Sequence, residues 1–406
     1  MEAPDLADPD LYLGGVPHGL FARLRDEDPV HWNAAGAYPG FWAVTRHADI
    51  VEISRQPKLF SSATANGGHR IFDEDAAGLA GMGESAIGVP MISTDPPEHL
   101  KYRKIILPAL APGRIAGIEE RIVGRVEKLL ADVPMGEPFD LVERLAAPLP
   151  ILTLCELIGV DPDMWRQLYR WTNAFVGEDD PDFRASPEAL QATLGEFMGF
   201  AAELYEERRR APGHDIASHL ANSGPDGEPA KYSDFLANLI LTLVGGNETT
   251  RNSISHSVIA FARDPGQWAL LREQPELMPT APREMVRHAS PVLHMRRTAT
   301  ADTELGGKRI RRGDRVVMWY PSGNRDAAAF ERPDAFDLRR GNVQHVGFGS
   351  GQHVCAGSRI AEMQLRVLFG ALARRVAGFE VRGEPRRFRS NFINGLKSLK
   401  VVLEEG

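Results

Sequence analysis

Residues 345–357 read HVGFGSGQHVCAG. Cys355 sits behind three closely spaced glycines (Gly347, Gly349 and Gly351), and Gly357 precedes an amphipathic stretch. Glycines admit positive φ and let a backbone approach a flat ligand closely. A sulfur just before a helix N-terminus faces unpaired backbone N–H groups and the positive end of the helix dipole. Both effects favour a thiolate, which is a metal ligand or a nucleophile. One competing reading is a structural cysteine in a glycine loop. Another is a zinc site from His345, His353 and Cys355, but structural zinc wants a further ligand and no second Cys or His cluster supplies one.

Phe348 to Gly357 complete the pattern F-G-x-G-x-H-x-C-x-G. On this segment the chain resembles the cytochrome P-450 monooxygenases. The resemblance implies a mainly α protein with the cytochrome P-450 fold, a large helical lobe with a small β-rich lobe. It also implies haem b (iron protoporphyrin IX), with Cys355 as axial thiolate and iron ligand and His353 at a propionate. His99 and Arg103, in STDPPEHLKYR, match D-P-P-x-H-x-x-x-R. Their i,i+4 spacing puts both on one helical face, suited to anionic propionates; the competing reading is a solvated face shared with Lys101 and Lys104. Arg297, in RRTA, matches a third propionate contact, with Arg296 beside it as the residue most easily confused with it. Glu284 and Arg287, in PREMVRH, form an i,i+3 pair. By the same resemblance Arg340, closing the segment 330–340, locks onto that pair.

Upstream, Leu239, Ile240, Leu243 and Val244 build an apolar face that runs into Gly245-Gly246-Asn247-Glu248-Thr249-Thr250. Each glycine inside a helix costs about 0.8–1 kcal/mol relative to Ala, so two in a row ask for a packing or functional reason. In the family, small residues here open a groove for dioxygen, and the next acid and alcohol deliver protons. Glu248 and Thr249 match that catalytic pair, although the family often has Asp at the acid position. Thr250 is the weaker hydroxyl candidate, and the competing reading of N-E-T-T is an exposed turn.

The rest of the 406 residues agree. Hydrophobic residues make up 43% and charged residues 25%, an ordinary globular balance. A net charge of −8 argues against a nucleic-acid surface. Two cysteines make no disulfide framework, so a reducing cytoplasm is expected. The acidic start MEAPDLADPD is no signal peptide, and no run approaches the ~18 apolar residues of a membrane span. Periodicity predicts helices at 16–32, 47–56, 113–132, 232–263, 280–289 and 357–374. Short strands are expected at 41–44, 296–299, 309–310, 316–320, 379–381 and 397–403. Residues 61–92 read as a long loop. With no linker or repeat, residues 1–406 read as a single domain. Gly81 to Ala86 fit G-x-G-x-x-A, but no strand precedes them and Pro90 follows, so a dinucleotide site is rejected.

The positions that face the distal haem by resemblance are mainly apolar: Leu241, Val244, Pro291–Leu293, Met295, Phe392 and Ile393. His294 is the polar exception and its orientation stays open. Residues 61–92, 171–175 and 197–200 would form a lid over a lipophilic small-molecule substrate. The segments 245–258 and 294–326 resemble bacterial subfamilies that hydroxylate alkanes, terpenoids or sterol side chains. A peroxide-using enzyme would not need the Glu248–Thr249 pair, and a haem-thiolate sensor would be expected to lose it. With O2 as co-substrate and no flavin or iron–sulfur module, electrons are expected from a separate ferredoxin and ferredoxin reductase. Lys101, Lys104 and Arg114 are the candidate docking contacts on the Cys355 side.

Overall fold

Helices begin and end where proline and glycine punctuate the chain. In order they are α1 (His18–Glu27), α2 (His47–Arg55), α3 (Glu98–Ile106), α4 (Pro112–Ala131), α5 (Pro148–Ile158), α6 (Trp165–Val176), α7 (Pro187–Arg210), α8 (Ile216–Asn222), α9 (Tyr232–Arg263), α10 (Pro265–Glu273), α11 (Ala281–Ala289), α12 (Tyr320–Gly323) and α13 (Ser358–Ala373). This computed structural model describes residues 4–73, 88–177, 179–183 and 186–406. The segment Gly81–Ala86, with its G-x-G-x-x-A pattern, lies outside the described residues, as do residues 74–87 of the expected 61–92 loop.

Proline opens α4, where its missing N–H costs nothing, and Ile118, Ile122, Val126 and Leu130 line up as one buried stripe. α5 stops at Gly159, whose φ of 76° lets its N–H turn back to cap the last carbonyls. α9 runs without a break until Asp264-Pro265, where a new helix starts. Buried along most of its length, it packs against α5, α6, α7, α8, α11 and α13.

Twelve short strands carry the β-rich part among the described residues: β1 (Val30–Asn33), β2 (Phe41–Val44), β3 (Phe60–Ser61), β4 (Phe139–Asp140), β5 (His294–Ala299), β6 (Thr303–Leu305), β7 (Lys308–Ile310), β8 (Arg315–Trp319), β9 (Val376–Val381), β10 (Arg386–Arg387), β11 (Leu396–Ser398) and β12 (Lys400–Glu405). The main sheet has the order β1-β2-β8-β5-β3, with β2 and β8 parallel and the other pairs antiparallel. A second sheet is β4-β12-β9, and β6–β7 and β10–β11 are hairpins. The expected helix over 16–32 is corrected here. It ends at Glu27, and Val30–Asn33 instead pair with β2, because that pairing buries Val30.

The main sheet has two distinct faces. Strand alternation puts Met295 and Arg297 with Val316 and Met318 on one face, and His294 and Arg296 with Val317 and Trp319 on the other. Separate apolar clusters cover each face.

Behind the sheet, Arg287 spends all its guanidinium hydrogens. It forks onto Glu284 at 2.7 and 2.8 Å and donates to the carbonyls of Asn324, Pro333 and Ala335 at 2.6–2.8 Å. Arg340 reaches the same carboxylate at 3.3 Å, as does the Asp337 N–H at 2.8 Å. This network ties α11 to the segment that leads into the Cys355 loop. Replacing Arg287 by Leu leaves the Glu284 carboxylate buried without its fork, which costs about 3–5 kcal/mol. Urea unfolding measures this, and a loss below ~1 kcal/mol would show that the network holds nothing.

Candidate active site

The loop around Cys355 is built by close backbone approach. Gly351, at φ 64°, lies so near the Ser54 carbonyl of α2 that a Cβ would overlap it. Gly349, at φ 71°, turns the chain so that the Cys355 N–H donates to the Phe348 carbonyl at 2.8 Å. The cysteine side chain is accessible. Even so, enough protein packs around the sulfur that burial pushes the thiol up. The Gly357 N–H, the Arg103 charge and the Ser358 N–H pull the other way. In this balance burial outweighs the helix end that favours a thiolate. A thiolate here calls for a cation on the sulfur.

His99, Arg103, Arg297 and His353 converge on one side of this loop. His99 is buried, with its ring nitrogens 3.0 Å from the Met91 and Gln352 carbonyls. Its ring lies 3.9 Å from that of His353, centroid to centroid. His353 Nε2 meets the Ser62 hydroxyl at 2.9 Å. Arg103 donates to the Val354 carbonyl at 2.6 Å, so it also braces the loop. Arg297 is buried and donates one hydrogen bond, to the Arg296 carbonyl at 2.7 Å. Its neighbour Arg296 turns to the opposite face and pairs with Asp73 at 2.8 Å, which settles which arginine joins the cluster. Burial, then the charges of Arg297 and the nearby imidazoles, hold His353 far below the ordinary histidine range. The acid that acts on Arg297 is Asp95, already engaged by Ser61 and Ser62. Two arginines and two imidazoles with so little acid beside them are a donor set for anionic groups, and it fits the two propionates of a haem.

On α9 the acid and the alcohol diverge. Successive helix residues point about 100° apart, so Glu248 and Thr249 do not share a hydrogen bond. Thr249 is half-buried and donates back to the Gly245 carbonyl at 2.8 Å. Thr242, Ser253, Ser255 and Ser257 make the same kind of bond to the carbonyl four residues back. Glu248 is fully buried, ion-paired to Arg251, and accepts from Asn247 at 3.2 Å. Burial pushes its carboxyl up, and Arg251 opposes this. Arg251 also donates to Asn173 of α6 at 3.1 Å, while Asn247 donates to Thr172 at 2.8 Å. Sequence reasoning missed Arg251 and its α6 partners. The available signal was an acid and a base three residues apart on a helix buried all round.

The apolar positions divide. Leu241, Val244, Val292 and Met295 are half-buried. Leu293 is fully buried in the cluster around Trp319, on the far face of the sheet. His294 also turns to that face, 5.3 Å from Trp319, and its Nδ1 donates to the Asn391 carbonyl at 2.9 Å. The aromatic stretches of α6 and α7 pack on each other, Trp171 against Phe197 and Phe200 at 5.3 and 5.0 Å. They stiffen this region as core, since Trp171 and Phe197 are fully buried.

Comparison with known proteins gives a consistent picture. The Cytochrome P450 family profile matches residues 163–385. The chain is 62% identical over 403 residues to linalool 8-monooxygenase of Pseudomonas putida, covering 99% of both chains. It is 36% identical to steroid C26-monooxygenase of Rhodococcus jostii, covering 98% of this chain and 84% of the relative. Among solved structures, a Mycobacterium marinum cytochrome P450 in complex with pseudoionone superposes with a TM-score of 0.90, 35% identity and 99% coverage of both chains.

The neutral ring of His294 has a measurable consequence. Burial, then the Arg70 charge, lowers its pKa from 6.5 to about 3. The unfolded chain therefore binds the proton first. Stability is whole above the unfolded value and falls by about 1.4 kcal/mol per pH unit for this ring as pH drops towards the folded one. His294→Asn should flatten the acid limb of unfolding free energy against pH by one proton; an unchanged slope means the ring is not held neutral.

Proposed function

The chain belongs to the cytochrome P450 family, and we propose that this haem b monooxygenase hydroxylates an acyclic terpenoid alcohol of the linalool type. The observation that carries the substrate reading is the 62% identity, end to end, to linalool 8-monooxygenase. The half-buried aliphatic side chains of Leu241, Val244, Val292 and Met295 suit such a substrate, which is held mostly by shape. A steroid is the second reading, favoured by the 36% identical relative. Residues 1–406 act as one domain in this proposal.

When bound, the haem supplies the iron and redox chemistry that split dioxygen, one atom entering a substrate C–H bond and the other leaving as water with two protons and two electrons. Cys355 would be the iron ligand, its sulfur supported by the N–H groups of Gly357 and Ser358. His99, Arg103, Arg297 and His353 would face the propionates, whose charge relieves the repulsion among them. Thr249 would present its hydroxyl on the distal side, and Glu248 would hold a proton. The rise of its carboxyl brings proton exchange closer to neutral pH, where an acid–base group works best. Since the two side chains are not bonded, a water must bridge them, and Arg251 sets where the Glu248 carboxylate rests.

Electrons would arrive from a ferredoxin and its reductase on the Cys355 side. Lys101 contributes little to docking, because Asp226 at 2.7 Å and Glu98 at 3.5 Å already pair with it. Arg114 instead donates to the His214 carbonyl at 3.2 Å. Lys104, Arg55 and Arg359 are exposed beside the loop, around the apolar surface of Leu100, Leu107 and Val354. Reaction takes place in the cytoplasm in this reading.

Titration of the ferric enzyme with linalool should give a saturable high-spin Soret shift. A shift with a steroid alone would move the assignment to the second reading. Thr249→Ala should keep that shift while most electrons go to peroxide; full coupling would remove Thr249 from proton delivery. Glu248→Gln should slow turnover by ~10²-fold or more, the scale of a lost general acid. Arg359→Glu should slow reduction by a small bacterial ferredoxin and lessen its salt dependence; unchanged rates would place the docking surface elsewhere.

A further inference from the structure

A cavity of about 490 Å³ lies between α1, the C-terminal end of α9, α11 and the β10–β11 hairpin, and no step of the reaction uses it. Its wall gathers His18, His256, His288, Arg263, Arg325 and Arg387. Two carboxylates, Asp264 and Asp334, also line it. Asp334 is largely exposed and touches Arg325 at 3.4 Å. Asp264 forms no ion pair with these bases among the described residues. Among the described residues the side chains of Arg263 and Arg387 make neither a hydrogen bond nor an ion pair. Glu384 is the one acid whose charge acts on Arg387.

The geometry is that of a concave site, with Arg263 exposed and Arg387 half-buried in its wall. The Arg387 guanidinium lies against Gly15, where a Cβ would sit 3.2 Å from Nη2 at a φ of 104° that already favours glycine. His18 Nδ1 is buried without a hydrogen-bond partner. His256 uses Nε2 on the Asn394 carbonyl at 3.0 Å, and His288 meets only the Phe336 ring. Burial, followed by the neighbouring arginine charges, keeps all three rings below the ordinary histidine range. Arg263 has one ordinary duty, as a cation in the last turn of α9. That duty explains neither the orphaned imidazole nor Arg387.

We propose that this cavity is a second binding site, for a small ligand carrying an oxyanion, phosphate or carboxylate, that Arg387, Arg263 and the flanking imidazoles receive. Its volume falls in the range of about 300–1,000 Å³ that holds small organic ligands, so the occupant is larger than a bare ion. The floor of the cavity is Asn394, which also bonds the Ala289 and Pro291 carbonyls at 2.8 and 2.9 Å. It directly follows Phe392 and Ile393, so the occupant would rest on the hairpin that carries those two side chains. The site stands apart from the substrate reading above, because neither Arg387 nor Arg263 is placed in the haem or substrate machinery.

The test is calorimetry on the haem-loaded enzyme in an oxyanion-free buffer, with pyrophosphate and citrate as probes. Saturable one-to-one binding of either probe, weakened about tenfold or more in Arg387→Gln or Arg263→Gln, is the expected result. Which probe binds tells phosphate from carboxylate. The unaltered Soret response of both variants to linalool, with an unchanged melting temperature, serves as the folding control. Because Arg263 is exposed, its variant stays informative if the hairpin variant unfolds. Absence of binding by both probes overturns the site, and so does binding that is equally tight in both variants.

Discussion

The contact on which the rest depends is between two backbones. The glycine loop that carries Cys355 presses at Gly351 directly against the backbone of Ser54 at the end of α2, and at Gly347 against the side chain and carbonyl of Val286 in α11. A sulfur mounted this way cannot shift without moving two helices. The Glu284–Arg287–Arg340 network fixes one of those helices to the segment that leads into the loop. Buried ion pairs rarely add much net stability over apolar packing. Their use here is positional, since every guanidinium hydrogen of Arg287 points at a named acceptor.

Basic side chains are concentrated where the fold can least solvate them. His99, Arg103, Arg297 and His353 crowd one side of the sulfur, and eight histidines are held below their ordinary range: His18, His47, His219, His256, His288, His294, His345 and His353. Burial is the leading cause for every one of them. Each of these rings therefore stays neutral in the fold to a lower pH than an ordinary histidine. The buried Glu248–Arg251 pair and its neighbour Asn247 link α9 to α6 through Asn173 and Thr172.

Much of this was legible in the chain. The limits of α9 fall at 232 and 263 as the apolar period and Pro265 demand, and α11, α13 and β2 fall within a residue of their expected ends. The order of the Cys355, Glu284, Arg340 and His99 segments carried the family. What escaped were facts made by distant partners. Val30–Asn33 gives too short a run to declare itself a strand before β2 is there to pair with it. Lys101 looks like a free cation until Asp226, remote in sequence, folds beside it. The divergence of Glu248 from Thr249 follows from helix geometry alone, yet the carboxylate's resting place follows from α6 and has no local signal.

The row of hydroxyls along α9 has a mechanical meaning. Thr242, Thr249, Ser253, Ser255 and Ser257 each lend a proton to the carbonyl one turn behind, which must then divide its lone pairs between an amide and an alcohol. Carbonyls shared in this way loosen the ladder and let a helix bend. With Gly245 and Gly246 in the same stretch, the longest helix among those described is also built as a spring, most compliant over the turns from Thr242 to Ser257. It can yield by small curvature as molecules enter and leave, while its two ends, anchored in the core, stay where they are.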